Sequence, residues 1–172
     1  MHKTGIVAKT HALFALMLTM YPGSMYYIKS DCDSHILNEY NLHEAILSSQ
    51  SLYYGSCENS HTMHIPKIAY NKNGVKVQYP YSQGGLYALS QTSAKLLVKH
   101  YELTKTHCHA RWEDAAVGCA MRMANITLFC AGKHINSWGK YNHSADVVHP
   151  NKKRKVNCHK MILHSTTKNA SF

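Results

Sequence analysis

Acidic side chains are scarce in this sequence. The 172 residues include 9 Asp and Glu against 19 Lys and Arg, so the formal net charge is +10 before the 14 histidines are counted. That imbalance favours an anionic partner, and a nucleic acid, an acidic membrane surface or a nucleotide phosphate would each satisfy it. No nucleic-acid-binding motif accompanies the charge, and the densest basic cluster, residues 152–155, is typical of a solvated loop. Nucleic-acid binding is therefore an alternative supported by charge alone, and we expect no nucleic-acid partner.

Closely spaced cysteine pairs are also missing. The six cysteines include no Cys-x-x-Cys pair, which excludes the usual zinc-ribbon and thioredoxin motifs. Their even number permits disulfides. A zinc site of unfamiliar spacing stays an alternative, and its ligands would be Cys108, His109, Cys158 and His159.

No apolar run is long enough to cross a bilayer, because a transmembrane helix needs about 20 consecutive apolar residues. Residues 12–20 are apolar and follow two lysines, as the apolar part of a signal peptide does. The competing interpretation is a buried or amphipathic helix that starts near Thr10 and is stopped by Pro22 and Gly23. We prefer the helix, because a turn and a strand follow it without a linker.

The composition is that of a single globular domain. Hydrophobic residues make up 45% of the chain and charged residues 16%, which excludes an intrinsically disordered protein. A chain of 172 residues can bury one core of ordinary size. Three tripeptides match the acceptor sequence for N-linked glycosylation and favour a secretory lumen; they begin at Asn125, Asn142 and Asn169.

The most informative stretch is residues 25–33, an apolar run that ends in Asp31 and Asp33. Buried strands are short apolar runs, so the two acids are expected at the C-terminal end of a strand. In open, mostly parallel α/β sheets, ligands bind at that edge. Two carboxylates there suit Mg²⁺ or Mn²⁺, which often binds phosphate oxygens as well. A solvated turn is the alternative, because aspartate favours turns for local reasons.

Further elements follow in order along the chain. Residues 36–48 carry a helical apolar stripe, residues 51–55 are typical of a strand, and residues 57–78 of a loop or hairpin. Residues 79–90 pass through two glycines into another strand. Ser90 is a plausible N-cap for a helix that passes Tyr101 and ends near residue 107. A second helix opens with two acids at residues 113 and 114, where the helix dipole alone could explain them.

Four motifs in this order resemble the catalytic domain of glycosyltransferase family 31, the β-1,3-galactosyltransferases and β-1,3-N-acetylglucosaminyltransferases. Residues 29–33 (Lys-Ser-Asp-Cys-Asp) are similar to the family's Lys-Thr-Asp-Asp-Asp, and Tyr53–Gly55 to its Tyr-x-Gly strand. Residues 79–90 are similar to its Tyr-Pro-x-Tyr-x-x-Gly-Gly-Gly-Tyr segment, and residues 113–118 to its Glu-Asp-Val-x-x-Gly helix start. Four motifs in the right order are far more specific than any one of them.

The resemblance implies an α/β fold, a GT-A-like Rossmann-type sheet with flanking helices. It implies one partial glycosyltransferase domain over residues 1–172, with a core at about 10–164. The first βαβ nucleotide-binding region, the stem and the membrane anchor of the family precede these motifs and are expected to be missing. Family members are membrane-associated enzymes of the Golgi and secretory lumen.

The resemblance also implies metal and donor sites. Asp33 corresponds to the carboxylate that holds Mn²⁺ or Mg²⁺ on the diphosphate of a UDP-sugar, with Asp31 in support. The family has a histidine near its C-terminus that reaches the metal; His164 is the first choice and His149 the second. The donor-binding glycine segment is represented by Gly84, Gly85 and Tyr87.

The implied reaction is an inverting transfer of galactose or N-acetylglucosamine in β-1,3 linkage to a glycan or glycoprotein. Asp114 stands at the position of the general base, with Glu113 beside it, and Trp112 could offer a flat face to the acceptor sugar. Two departures stand out, because Cys32 replaces the middle acid and Leu86 the third glycine. The alternative is a catalytically impaired fragment or pseudoenzyme that binds a glycan or a partner without turnover.

Overall fold

The structure, a computed structural model, describes residues 4–56, 80–83, 85–108, 113–132, 135–137, 145 and 147–149. This part of the chain is a mixed α/β fold. Its helices are α1 (Thr4–Met20), α2 (Glu39–Ser49), α3 (Gln91–Lys99), α4 (Tyr101–His107) and α5 (Glu113–Met123). Its strands are β1 (Tyr26–Ser30), β2 (His35–Ile36), β3 (Tyr53–Gly55), β4 (Leu86–Ser90), β5 (Leu128–Cys130), β6 (Ile135–Ser137) and β7 (Val147–His149).

The main sheet has four strands in the order β1-β4-β3-β5. Strand β4 is antiparallel to both β1 and β3, whereas β5 is parallel to β3. The expectation of a mostly parallel sheet is therefore wrong, and the sheet is mixed. The reason is that the chain enters β4 beside the C-terminal ends of its neighbours, with Leu86 opposite Ser30 and Tyr87 opposite Gly55. A smaller sheet has the order β2-β7-β6.

The main sheet is covered on both faces. Side chains of a strand alternate between the two faces, and β4 divides its residues accordingly. Tyr87 and Leu89 belong to a core with α1, α3 and α5, which also contains Phe14, Met17, Tyr53, Leu97 and Met121. Leu86 and Ala88 belong to a second core with α2, which also contains Leu42, Ile46, Tyr54, Ala131 and Ile135. Because both faces are buried, β4 is apolar without alternation in its sequence.

Several predicted elements are confirmed. Strand β1 ends at Ser30, directly before the first acid. Strands β3 and β4 lie where the apolar runs at residues 51–55 and 86–90 predict them. The hydroxyl of Ser90 accepts a hydrogen bond from the N–H of Ser93, so Ser90 is the N-cap of α3.

Three helix boundaries differ from the prediction. Helix α1 begins at Thr4 and not near Thr10. Helix α2 begins after Asn38 and not at Ile36, because the Asn38 side chain caps it by accepting from the N–H of Asn41; Ile36 lies in β2 instead. The helix expected between Ser90 and residue 107 is two helices, and His100 separates them with a non-helical φ of −102° and ψ of 23°.

Part of the prediction lies outside the described residues. This applies to the expected loop at 57–78 and to six candidate site residues or ligands, which are Gly84, His109, Trp112, Cys158, His159 and His164. Across the described ranges, every helix is too short or too polar to cross a bilayer.

Candidate active site

The segment Asp31 to Ser34, here called the acidic turn, follows β1 and is fixed by the backbone of the glycine segment. The carbonyl oxygen of Gly85 accepts hydrogen bonds from the N–H of Asp31 (3.0 Å) and from the Ser34 hydroxyl (2.6 Å). The N–H of Ser34 donates to the carbonyl of Asp31 (3.0 Å), which closes the turn. Two of the four motifs, separated by more than 50 residues, therefore meet at the end of β1.

Lys29 joins the acidic turn to the first residue of α5. Its Nζ lies 2.5 Å from Oδ1 of Asp31 and 3.2 Å from Oε2 of Glu113. The hydroxyl of Tyr87 donates a hydrogen bond to the other oxygen of Glu113, Oε1. The Lys29 ammonium also lies 5.6 Å from the centre of the Tyr87 ring, within the range of a cation–π contact. We call these four side chains the lysine network.

The lysine network is partly buried, so the charges of its members affect one another more strongly than they would in water. The side chains of Lys29 and Glu113 are 13% and 9% exposed, whereas that of Asp31 is 38% exposed. Burial alone would lower the pKa of Lys29, but the charges of Glu113 and Asp31 outweigh it and the pKa is raised. Lys29 is therefore a cation held in place by two carboxylates.

Two tyrosines next to the start of α5 are held in the neutral form. Burial, the charge of Glu113 and the hydrogen bond to it raise the pKa of Tyr87 well above its usual value. Burial and the charge of Asp114 raise the pKa of Tyr81 to about 12. Tyr81 is half-buried and Tyr87 fully buried. The two acids of α5 therefore act on residues of the aromatic and glycine segment.

Helix α5 is joined covalently to the residue that follows α4. A disulfide joins Cys108, which follows α4, to Cys119 within α5. This finding excludes the alternative zinc site in which Cys108 is a thiolate ligand. Cys32 and Cys130 are disulfide-bonded as well. The residue that replaces the middle acid of the acidic turn therefore serves a covalent cross-link.

The glycines of two motifs allow close packing around Ser82 and Tyr81. A Cβ on Gly55 would lie 2.0 Å from Oγ of Ser82, which accepts a hydrogen bond from the N–H of Ser56. A Cβ on Gly118 would lie 2.9 Å from the Cα of Tyr81. Real Cβ atoms do not approach this closely, so a side chain at either position requires a shift. The segment 80–83 is thus pressed between β3 and α5.

The two carboxylates of the acidic turn are suitable ligands for a divalent metal in their chemistry, because Mg²⁺ and Mn²⁺ prefer oxygen. Lys29 already contacts Oδ1 of Asp31. Asp33 is half-buried in the same turn. Both carboxylates thus offer oxygen donors of the kind that such a metal takes, and one oxygen of Asp31 is already bound by Lys29. Within the described residues, no group of three His, Cys, Asp or Glu side chains converges on one point.

The structure gathers most of the predicted site residues that it describes. Asp31, Gly85, Tyr87 and Glu113 are joined through the hydrogen bonds above. Asp114 follows Glu113, and its Oδ1 accepts from the N–H of Ala115 at 2.8 Å. His149, the second choice for the histidine that reaches the metal, is in β7 of the smaller sheet, where it pairs in register with Ser137. Gly84, Trp112 and His164 lie outside the described residues.

Sequence analysis missed Lys29 as a member of this site. A sequence signal exists, because residues two apart in a strand share a face and Lys29 follows Tyr27 at that spacing. Tyr27 is 3% exposed. A lysine on the buried face of a strand almost always needs an acidic partner, and Glu113 is that partner here.

The carboxylate of Glu113 has both oxygens bound by protein donors, Lys29 and Tyr87. It is therefore suited to hold α5 in position. Next to Glu113 a cavity of about 10 Å³ lies between α1, α3, α4 and α5. It has room for about one water molecule and not for a sugar ring.

Comparisons with known proteins do not identify a family. No protein-family model matches this chain. No curated protein matches it significantly either. The resemblance to glycosyltransferase family 31 therefore rests on the four sequence motifs.

Proposed function

We propose that this chain is an inverting hexosyltransferase of the family 31 type with a GT-A-like sheet. It would transfer galactose or N-acetylglucosamine from a UDP-sugar to a hydroxyl of a glycan or glycoprotein, in β-1,3 linkage and with Mn²⁺ or Mg²⁺. The observation that carries the proposal is that Lys29 contacts both Asp31 and Glu113, two acids from motifs that lie far apart in the chain. Two acidic motifs that a transferase needs in one place are thus at one end of β1.

Each residue has a task in the proposed reaction. The carboxylate of Asp114 accepts the proton of the acceptor hydroxyl as its oxygen attacks the anomeric carbon of the donor sugar. The bond from that carbon to the diphosphate breaks as the new bond forms, and the configuration inverts. A divalent cation bound by Asp33, with Asp31 in support, would neutralise the charge on the departing diphosphate. Glu113 and Lys29 are positioning residues that hold α5 against the acidic turn.

The disulfides support the proposed compartment. Disulfides persist in oxidising environments such as the secretory lumen and are rare in the cytosol. Cys108 and Cys119 are joined, and Cys32 and Cys130 are also bonded. A secretory or Golgi location, with the membrane association that is typical of the family, therefore belongs to the proposal.

A second candidate function is supported by the same lysine. Lys29 binds one carboxylate oxygen of Asp31, and Glu113 has both oxygens engaged. A protein that keeps the fold but binds a glycan or a partner without turnover would tolerate these contacts. Such a protein would bind glycan equally well before and after metal chelation.

Thermal unfolding with UDP and Mn²⁺ separates the two functions. A ligand that binds only the folded state raises Tm by mass action. The transferase predicts a rise in Tm that requires UDP and Mn²⁺ together, and hydrolysis of UDP-galactose or UDP-N-acetylglucosamine. No rise with either ligand, together with glycan binding that survives chelation, would favour the non-catalytic protein.

Matched variants locate the activity. We expect Asp33→Ala to abolish both the Mn²⁺-dependent rise in Tm and hydrolysis, and Asp114→Asn to abolish hydrolysis while the rise remains. Glu102→Gln is the control, because Glu102 is exposed on α4. Hydrolysis that persists in both aspartate variants would rule out these assignments.

A further inference from the structure

The backbone of the turn after α5 ends the helix with a specific hydrogen-bonded motif. Asn125 has a φ of 58°, in the left-handed region that asparagine adopts more readily than most residues. Its N–H donates to the carbonyl of Arg122 (3.0 Å), and the N–H of Ile126 donates to the carbonyl of Met121 (2.8 Å). These two bonds form a Schellman motif, with Asn125 as the left-handed residue.

The same turn is anchored on the core by one side chain and leaves two others exposed. Ile126 and Met121 are 8% and 1% exposed and belong to one hydrophobic cluster, which is the apolar contact expected in a Schellman motif. The side chains of Asn125 and Thr127 are exposed. The backbone of Asn125 therefore has a structural task, and the residue is exposed to solvent.

We propose that Asn125 is a site of N-linked glycosylation. Asn125-Ile126-Thr127 has the required order of asparagine, a residue other than proline, and threonine. The structure adds that the acceptor residue Asn125 and the required Thr127 are both exposed on a turn whose backbone is held by the core. The disulfide between Cys108 and Cys119 supports exposure of this chain to the oxidising lumen where such glycans are added.

The modification is a group transfer from a lipid-diphosphate-linked oligosaccharide. The carboxamide nitrogen of Asn125 forms a bond to the anomeric carbon of the oligosaccharide. The bond between that carbon and the diphosphate breaks, and the lipid diphosphate leaves with the electron pair. The amide nitrogen loses one proton to a base of the transferring enzyme, so no oxidant or reductant is needed.

A glycan at this position would lie beside exposed apolar surface. Met123, two residues before Asn125, is 45% exposed, and Phe129, in β5, is 46% exposed. Strand β5 is the last strand of the described four-stranded sheet. Sheet edges and exposed apolar patches promote association between chains, and a bulky polar glycan suppresses it. We therefore expect the glycan at Asn125 to increase the solubility of the protein.

The test uses the full chain behind a cleavable signal peptide in cultured animal cells. Asn142→Gln and Asn169→Gln are introduced together, so that Asn125 is the one acceptor left in the sequence. Lysates are treated with peptide-N-glycosidase and measured by intact mass and by peptide mapping. Cleavage of the signal peptide shows that each chain has reached the lumen, whether or not it is secreted.

We expect a mass shift that the glycosidase removes, and the glycosidase should leave aspartate at residue 125 where the glycan was attached. Thr127→Ala and Asn125→Asp should abolish the shift, whereas Thr127→Ser should keep it. Asn125→Asp is the better loss variant for folding, because aspartate also tolerates the left-handed region. A chain that has lost its signal peptide but carries no glycan at Asn125 would overturn the proposal and leave Asn125 as a helix-ending residue alone.

Discussion

Lys29 and Glu113 form a buried ion pair, with 3.2 Å between Nζ and Oε2, although 84 residues separate them in the chain. The pair fastens the start of α5 to the strand that leads into the acidic turn. Removal of one partner leaves an uncompensated charge in a poorly hydrated place, which costs far more than removal of both. This relationship yields the first two predictions.

The Lys29→Met variant is expected to lower the free energy of unfolding by about 3 kcal/mol, the low end of the range for breaking a buried pair. The control is Lys105→Met, because Lys105 pairs with Glu102 at 3.7 Å and both side chains are more than half exposed. Exposed pairs contribute less than about 1 kcal/mol. Urea denaturation measures both. Equal losses of unfolding free energy in the two variants would show that the buried Lys29 pair contributes no more stability than an exposed pair. The double variant Lys29→Met, Glu113→Gln should recover part of the loss.

The Tyr87→Phe variant is expected to cost about 1.5–3 kcal/mol, because it removes a hydrogen bond to a charged acceptor, Glu113. Tyr27→Phe is the matched control, since the hydroxyl of Tyr27 donates to the neutral carbonyl of Tyr21 at 2.7 Å. That loss should be about 0.5–1.5 kcal/mol. Denaturation of Tyr87→Phe, of Glu113→Gln and of the double variant gives the coupling energy between the two side chains, and Tyr27→Phe is measured beside them. Coupling near zero would contradict the contact.

Stability should fall at alkaline pH. The folded-state pKa of Lys29 lies above its usual value of 10.5, and that of Tyr81 is raised from 10.0 to about 12. A group with a raised folded-state pKa contributes stability that is fully present below its unfolded pKa and is lost as pH rises through the folded one. The loss is therefore expected from about pH 10 upwards and, for Tyr81, is complete near pH 12.

Tyrosine absorbance and urea denaturation, measured together from pH 8 to 12, check this expectation. Tyr81→Phe should flatten the dependence, because it removes one of the titrating groups. A stability curve that is level through pH 11 in the unmodified chain would contradict the assignment.

Loss of the disulfide between Cys108 and Cys119 should destabilise the start of α5. The two cysteines are 11 positions apart, and a loop of this size contributes about 3 kcal/mol in the chain-entropy model. The Cys108→Ser, Cys119→Ser variant is measured by urea denaturation and by UDP-sugar hydrolysis. Unchanged stability would mean that packing alone holds α5. A fall in the rate of UDP-sugar hydrolysis would show that the position of Asp114 is affected.

The Gly118→Ala variant is expected to be destabilising although alanine is the better helix former. Alanine gains about 1 kcal/mol in a helix interior. Against this, a Cβ at Gly118 would lie 2.3 Å from Cβ and 2.9 Å from Cα of Tyr81, and overpacking of this kind costs about 1–3 kcal/mol or more. Gly23→Ala is the control, because a Cβ there meets nothing within 4 Å. Thermal unfolding should show a fall in Tm for Gly118→Ala alone; equal Tm values would refute the close packing.

The local elements around the site could be predicted because their signals are local. The run that ends at Ser30 is apolar up to its last residues, and Ser90 is a good N-cap before a helical stripe. The boundary at His100 could not be predicted, since the apolar pattern of α3 continues past it. The sequence could not show that β4 is antiparallel to its neighbours either, because the apolar run of a buried strand carries no information on its orientation.

The amino-acid sequence by itself determined which acids stand after a strand, which glycines stand beside them and which residues begin α5. Only the tertiary structure decided that Lys29 contacts Asp31 and Glu113, that Gly85 fixes the acidic turn and that Cys108 bonds to Cys119. The physical reason is that residue patterns report the environment of a short segment. Contacts between distant residues depend instead on the path of the whole chain, which is set by the packing of both faces of the sheet.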